Sequence, residues 1–434
     1  MKTILAVNCG SSSIKFKLYT VPDLNVLISG QASSVATKGA KPSIKYVVHD
    51  HGNEEKNSED EEENMPYEVV FERIVALIDQ STSKHFQPED AIAAVSHRVV
   101  HGGTESEPME IYPGHTEGLD LLDKLSDFAP LHNHRAVEVV KFCLEHLPNS
   151  RQILCFDTLF HHTLLKHVYT YPLAPPAEAT AIPLRKYGAH GLSYAYILGR
   201  MSEHLQKPQG ELNLIIAHLG SGASMCLIKE GKSFDTTMGL TPLEGLPGGT
   251  RTGSLDPALI FHHTPSASEK VDFNGFPVAK AEMIMNKEGG LQALCGTSNF
   301  GTIASEMANA SSGDSEKYRL AYQVFLDRIL NYLGAYLLKL FGSSATGSVP
   351  ELHGLVFSGG IGERSTQLRA DVGNYLKWLK CEIDEERNRE GPKNDVDGGV
   401  KEVTKAGSGV RMFDEESQTA NMALNALRKS KLID

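Results

Sequence analysis

A chain of 434 residues with 41% hydrophobic content is too long for one ordinary core and is expected to form two domains. Its formal charge of −12 excludes a duplex nucleic-acid binder, whose affinity rests on neutralising phosphates with Lys and Arg; a small anionic ligand would need a locally positive pocket instead. The six cysteines lack C-x-x-C spacing, the apolar run ending at Val7 is shorter than a secretory signal, and no run approaches bilayer length, so a reducing cytoplasm with no membrane partner is expected.

Residues 3–8 are a mostly apolar run, and 13–19 alternate Ile14, Phe16 and Leu18 against Lys15, Lys17 and Tyr19, which predicts a β-hairpin turning at Gly10 to Ser12. Residues 50–66, DHGNEEKNSEDEEENMP, are acidic and turn-rich and read as a solvated loop insert. Tyr67 to Gln80 carries Val70, Ile74, Leu77 and Ile78 on one helical face, and Ala91 to Val100 reads as a strand running into His101-Gly102-Gly103. A helix after His132 and a strand from Gln152 to Asp157 continue the alternation that marks an α/β architecture. Residues 212–228, LNLIIAHLGSGASMCLI, then repeat the plan of the N-terminus: apolar strand, polar residue, Gly/Ser turn, alternating strand. That echo suits two homologous domains. A third glycine turn follows another apolar strand in LVFSGGIGERS, residues 355–365. Glu316 to Phe341 predicts a long helix, Gly391 to Gly409 a loop, and Asp414 to Lys429 a closing helix with Asp414 as its N-cap.

Each glycine turn taken alone reads best as a simple hairpin turn. Together, with Lys15 just beyond the first, they favour nests of backbone N–H groups converging on nucleotide phosphates, although the G-x-x-x-x-G-K-[ST] phosphate loop is absent. Arg98 in SHRVVHGG and Arg251 in LPGGTRTGSLDP sit beside glycines, where a guanidinium can hold a carboxylate or phosphoryl group bidentately or pair with a surface acid. Asp157 ends a strand, where active-site carboxylates of α/β proteins recur, and Glu415 opens the closing helix. His132, His190 and His218 are open to a structural or a catalytic reading. A zincin is excluded because H-E-x-x-H is absent and His161, His162 and His167 lack i, i+4 spacing; a hydrolase elbow fails at Gly191-Leu192-Ser193-Tyr194-Ala195.

Read in order, VNCGSSSIKFKLY, SHRVVHGG, APLHNHRAVE, CFDTLFHHT, YGAHGLSY, HLGSGAS, TTMGLTPLEGLPGGTRTGSLDP and FSGGIGER resemble the motifs of acetate kinases across essentially the whole chain, in a form like the eukaryotic, fungal members. The resemblance implies an α/β fold of two duplicated actin-like (ribonuclease H-like) domains flanking a nucleotide cleft, usually as a homodimer. The expected division is 1–156, completed by a helix at 414–434, and 157–413. The implied reaction is reversible phosphoryl transfer between ATP and acetate, giving ADP and acetyl phosphate, with Mg²⁺ or Mn²⁺.

Position by position, the resemblance assigns Asn8 and Glu415 to the metal, Asp157 to the catalytic acid, Arg98 to the substrate carboxylate, and His190 and Arg251 to transition-state stabilisation. Val100, Leu131 and Pro242, with His132 nearby, are implied to form the acetate pocket. Ser13 and Lys15 with His218, Leu219, Gly220, Ser221 and Gly222 are implied phosphate contacts. Asn299, Phe300 and Gly301 with Gly360, Ile361, Gly362, Glu363 and Arg364 are implied nucleotide contacts. Departures fall at Ala189, where the family usually has Phe, at Ser221 for the usual Asn, at Ser298 to Gly301 and at Pro247-Gly248. They leave open a pyrophosphate-dependent enzyme or a kinase for a slightly larger carboxylate such as propionate. From another class, a non-catalytic, nucleotide-gated binding protein of the actin and chaperone type is a rival, against which the paired arginines argue.

Overall fold

The computed structural model describes residues 2–10, 12–21, 23–37, 39–50, 53–60, 65–82, 92–126, 133–273, 276–309, 315–342, 349–391 and 399–415. β1 (Thr3–Cys9) and β2 (Ser13–Thr20) form the expected antiparallel hairpin, with Thr3 opposite Thr20 and Cys9 opposite Ile14. β3 (Val26–Ser33), β4 (Ser43–Asp50) and β5 (Asn53–Asp60) continue antiparallel from β2. On the other side β6 (Ile92–Val99) lies parallel to β1, β7 (Met109–Ile111) forms the far edge, and β8 (Arg151–Phe156) runs parallel to β6 between them.

β5 corrects the expectation of a solvated loop over residues 50–66. Its sequence, NEEKNSED, has no apolar alternation because the ladder to β4 holds it at the sheet edge. Acidic side chains suit such an edge, since they discourage further strand pairing. Arg73, from the helix Tyr67–Thr82, reaches back to Glu59 at 2.9 Å.

The second large sheet contains β9 (Leu214–Leu219), β10 (Ala223–Lys229) and β11 (Lys232–Thr236). A separate ribbon pairs β12 (Lys270–Phe273) with β13 (Phe276–Ala279). β14 (Gly354–Ser358), β15 (Val400–Glu402) and β16 (Met412–Glu415) complete the sheet in the order β11-β10-β9-β14-β16-β15. Its first five members repeat β3-β2-β1-β6-β8 in order and direction: two successive antiparallel pairings on one side of the first strand, two successive parallel ones on the other.

β16 also corrects the C-terminal reading. Asp414 is not a helix N-cap but a buried strand residue aligned with Phe357 of β14, and its Oδ2 lies 3.1 Å from Nη1 of the equally buried Arg369. The expected loop at 391–409 contains β15; the rest of the expected closing helix lies outside the described residues.

The helices Tyr67–Thr82 and Asn133–His146 cover one face of the first sheet through Val70, Phe71, Ile74, Leu77, Val139 and Phe142. The long helix Ser315–Phe341 covers the second through Phe325, Ile329, Leu333 and Tyr336. Between the two sheets lies the helix Gly191–Leu205. Leu192 and Tyr196, four residues apart, pack on Ile4, Ala94, Ile153 and Cys155 of the first sheet. Tyr194, Ile197, Leu198 and Met201 pack on Leu214, Ile216 and Val356 of the second. A helix apolar on two faces is fixed from both sides, and here its N-terminus is the site residue His190. No helix among the described residues is long and apolar enough to cross a membrane.

Candidate active site

The first sheet delivers a charged cluster at the ends of its parallel strands. The β1–β2 turn is closed by Gly10 N–H donating to Ser13 O at 2.7 Å and held from beneath by the Tyr67 hydroxyl on Gly10 O. Registration places Asn8 beside both Lys15 and Arg98. Arg98 donates from Nε to Asp157 Oδ1 at 3.0 Å and from Nη2 to Oδ2 at 2.6 Å, and from Nη1 to Asn8 Oδ1 at 3.3 Å. Asp157 follows β8, with its N–H on Val99 O, and its side chain is 2% exposed against 30% for Arg98. The bidentate edge expected for a ligand is thus taken by Asp157; the Nη1–Nη2 edge remains geometrically suited to an incoming carboxylate.

His190 is placed by backbone constraints. It occupies the left-handed region at φ 59° as N-cap of its helix. A side chain at Gly191 would meet Asp157 O at 2.2 Å, and Gly191 N–H donates to that same oxygen at 2.8 Å, so the strand carrying Asp157 and the helix carrying His190 are locked together. Before it, Gly188 (φ 80°) lies over the His161 ring, and His161 spans Ala189 O at 3.0 Å and Ser233 Oγ at 2.7 Å. The spacing of His161, which excludes a zincin, carries no sign of this role. The nearest signal was its place four residues after Asp157.

From the second sheet, the β9–β10 turn is closed by Gly220 N–H on Gly222 O at 3.1 Å. The Arg251 loop is tied to this turn by Gly249 N–H on Ser221 O at 2.8 Å, and boxed from behind by Leu291 and Gln292 N–H groups on Gly248 and Gly249 O. A side chain at Gly248 would meet Ser221 O at 2.6 Å, which accounts for glycine in the Pro247-Gly248 departure. Gly222 is the meeting point: a Cβ there would lie 2.9 Å from Arg251 Nη1 and 3.6 Å from His190 Nε2. His190 and His218 rings are 4.8 Å apart. Ser224, opposite His218 in the hairpin, accepts or donates to His190 Nδ1 at 2.8 Å, and Tyr194 Oη contacts Ser224 in turn. Sequence reading missed both hydroxyls.

Beside this cluster, a cavity of about 400 Å³ is lined by Gly220, Ser221, Asn299, Phe300, Gly301, Gly360, Ile361 and Arg364, so residues far apart in sequence converge on one space. Several candidates there are structural. Phe300 is 5% exposed and packs on Tyr322 and Phe325, Leu219 is fully buried, and Asn299 caps its helix by accepting from Thr302 N–H at 3.2 Å. Gly362 is buried and its carbonyl accepts from Arg369, as does that of Glu363. Asn8, Lys15 and Arg98 line a second cavity of about 500 Å³ on the first sheet. Val100 and Pro242 are half-buried, whereas Leu131 and His132 lie outside the described residues. Glu415 ends β16 opposite Val400, a strand position in place of the expected helix start.

Electrostatics follow from this crowding. Burial first, then His218, Arg98, Arg251 and His161, push His190 well below the usual histidine range. Burial and Arg98 bring His218 down to about 4 against the pull of Asp157. Burial and Arg98 lower Arg251 to about 10, again opposed by Asp157. Burial disfavours the charge on Arg98, but the charge and hydrogen bonds of Asp157 outweigh it and leave the group raised. At neutral pH the site therefore presents two cations and neutral imidazoles.

Among the described residues no cluster of three or more His, Cys, Asp or Glu side chains could hold a metal ion. The oxygen donors Asn8 and Asp157, on two sides of Arg98, fit a hard cation that takes most of its ligands from phosphate and water, as Mg²⁺ does.

Two sheets of matching topology, with two arginines and a histidine where they meet, define a phosphotransferase of the actin-like fold. The acetokinase family matches residues 3–413, and the chain belongs to that family. It is 47% identical over 426 residues to a probable acetate kinase of Cryptococcus neoformans var. neoformans serotype D, covering 97% of each protein. Among solved structures it resembles the acetate kinase of Porphyromonas gingivalis (29% identity, 99% of both chains, TM-score 0.79). It is equally like a propionate kinase of Francisella tularensis (29% identity, 98% of this chain and 99% of that one, TM-score 0.78). Its activity is that of an acetate kinase, phosphoryl transfer with a carboxyl group as acceptor. Family membership does not favour the non-catalytic rival.

Proposed function

We propose that the enzyme transfers the γ-phosphoryl group of ATP in line to acetate, reversibly, at the junction of the two sheets. The observation that carries this is Gly222: it adjoins Ser221 in the wall of the 400 Å³ cavity and has Arg251 and His190 packed on its other side, so a nucleotide in the cavity ends at the cation cluster. Arg98 offers its Nη1–Nη2 edge to the acetate carboxylate, and the half-buried Val100 and Pro242 supply apolar contact for the methyl. Acetate is ionised at pH 7 and needs no base, so Asp157 orients Arg98. Arg251 and neutral His190 meet charge developing on the equatorial oxygens. Mg²⁺ bound at Asn8 and Asp157, with Glu415 as a further candidate, would neutralise phosphate charge.

In this reading the first sheet and the second sheet belong to separate domains, divided near residue 157, with the Gly191–Leu205 helix as the wedge between them. The protein acts in the cytoplasm as a homodimer; the helix Pro257–His263, which buries none of its residues and exposes Leu259 and Phe261, supports a partner surface.

The test is acetyl phosphate formation from acetate and Mg²⁺ with ATP or pyrophosphate supplied separately, and the reverse with ADP or phosphate. Turnover is expected with ATP and ADP; turnover with pyrophosphate and phosphate alone overturns the donor assignment. A second acceptor, propionate, is favoured by Ala189, a small side chain only 2% exposed and next to His190. The propionate-to-acetate ratio of kcat/KM should fall in Ala189→Val and Ala189→Phe, and an unchanged ratio sinks that reading.

A further inference from the structure

We propose that Tyr194 and Ser224 form a two-hydroxyl relay that fixes His190 with its proton on Nε2, making the neutral ring a hydrogen-bond donor on its cleft side. This rests on the reading of His190 as the group facing the transferred phosphoryl.

The relay is visible as a chain of contacts: Tyr194 Oη to Ser224 Oγ, and Ser224 Oγ to His190 Nδ1 at 2.8 Å. Two independent elements build it. Tyr194 lies one helical turn after His190, and its N–H donates to His190 O at 3.1 Å. Ser224 comes from β10, across from His218. Both side chains are fully buried, so neither hydroxyl exchanges its partner for water.

Counting protons gives the direction. Ser224 has one proton to share between two neighbours, and Tyr194 has one that must be donated or left unmade in a buried site. If Tyr194 donates to Ser224, Ser224 donates to Nδ1, and every group is satisfied; Nδ1 is then the acceptor and Nε2 carries the hydrogen. The reverse direction strands the phenolic proton. Burial raises Tyr194 well above the usual tyrosine range, which keeps it a donor, and holds His190 neutral, which makes the choice of tautomer matter. Nε2 is the atom on the Gly222 and Arg251 side. A neutral histidine in the other tautomer would present a lone pair to phosphoryl oxygens and repel them.

Tyr194 and Ser224 are positioning residues, acting through His190, and the test reads the ring itself. In ¹⁵N-histidine-labelled full-length protein at pH 7, with the His190 signals assigned by their loss in His190→Gln, Nδ1 should show an unprotonated shift and Nε2 a protonated one. Tyr194→Phe keeps the ring packed against His161 and His218 and removes only the terminal donor. It should give mixed tautomers and lower kcat about tenfold with KM for both substrates little changed. Ser224→Ala should do the same. A protonated Nδ1 in the wild type, or an unchanged tautomer in both variants, overturns the relay. Full kcat in His190→Gln would instead overturn the role of His190 and leave the tautomer result standing.

Discussion

At matching places in the two sheets the side chains differ in kind. Asn8 in β1 faces Lys15 of β2 and Arg98 of β6; His218 in β9 faces Ser224 of β10 and Ser358 of β14. The first set carries two full positive charges. The second carries hydroxyls and an imidazole lowered to about 4. Asp157, which follows β8, pairs with Arg98, whereas β14 opens into the glycine segment Gly359–Arg364. At these matching strand positions the first half carries charge and the second carries neutral groups, with the cation Arg251 added from the loop tied to the β9–β10 turn. The division has an electrostatic reason: Arg98 and Arg251 both lower His190, and Arg98 also lowers His218 and Arg251, so further cations there would have to be desolvated against them.

The largest test of this contrast removes a charge from the first half. Arg98→Ala takes away the group that pairs with buried Asp157, leaving that carboxylate alone, and with it the edge proposed above to hold the acceptor. The expected loss in kcat/KM for acetate is about 10³-fold, the cost of one well-placed ionic donor. Arg98→Lys should restore little, because an ammonium cannot span both Asp157 oxygens and a substrate carboxylate together. Retention of kcat/KM within tenfold of wild type in Arg98→Ala would break the division of labour.

A smaller loss is expected when the second half is altered without removing any charge. The Cβ in Gly222→Ala would sit 2.9 Å from Arg251 Nη1, tighter than real contacts allow, so the guanidinium must shift. kcat should fall about 10- to 100-fold, in keeping with the sensitivity of oriented transfer to small displacements. Gly220→Ala, in the same turn, meets only Gly222 O at 3.5 Å and should lose several-fold less. Equal losses at the two glycines would show that the turn acts as a flexible unit and not through its contact with Arg251.

How much of this was legible depended on burial. The β1–β2 and β9–β10 hairpins, the parallel strands after them and the long helix were readable because each buries apolar side chains, the central strands on both faces, and their likeness gave the duplicated fold. β5 was not readable, because an edge strand held by ladder bonds imposes no apolar pattern. Asp414 with acidic residues after it has the look of a helix start, yet Met412 and Phe413 pair with Leu355 and Val356, and a four-residue strand is too short to announce itself. At the site, residues carrying charge or glycine stood out, whereas Ser224, Tyr194 and His161 act through positions that read as ordinary core. The loops from 218–222, 299–301 and 360–364 could be named separately; their meeting in one cavity required the crossovers between them.

The smallest expected effect concerns pH, and it sharpens the contrast between the cations and the neutral histidines of the junction. His190 is well below the usual histidine range, and His218 and His161 are at about 4, so none of them changes charge between pH 6 and 8. A lowered histidine is neutral above its folded value and gains its proton only as pH falls through it; Arg251, at about 10, stays protonated from the other side. Substrate phosphates titrate in the same interval, so the informative quantity is the ratio of wild-type to His190→Gln kcat, in which their titration cancels. That ratio should stay constant within about twofold from pH 6 to 8. A sigmoidal change centred near pH 6.5 would mean that His190 works as a cation beside Arg251.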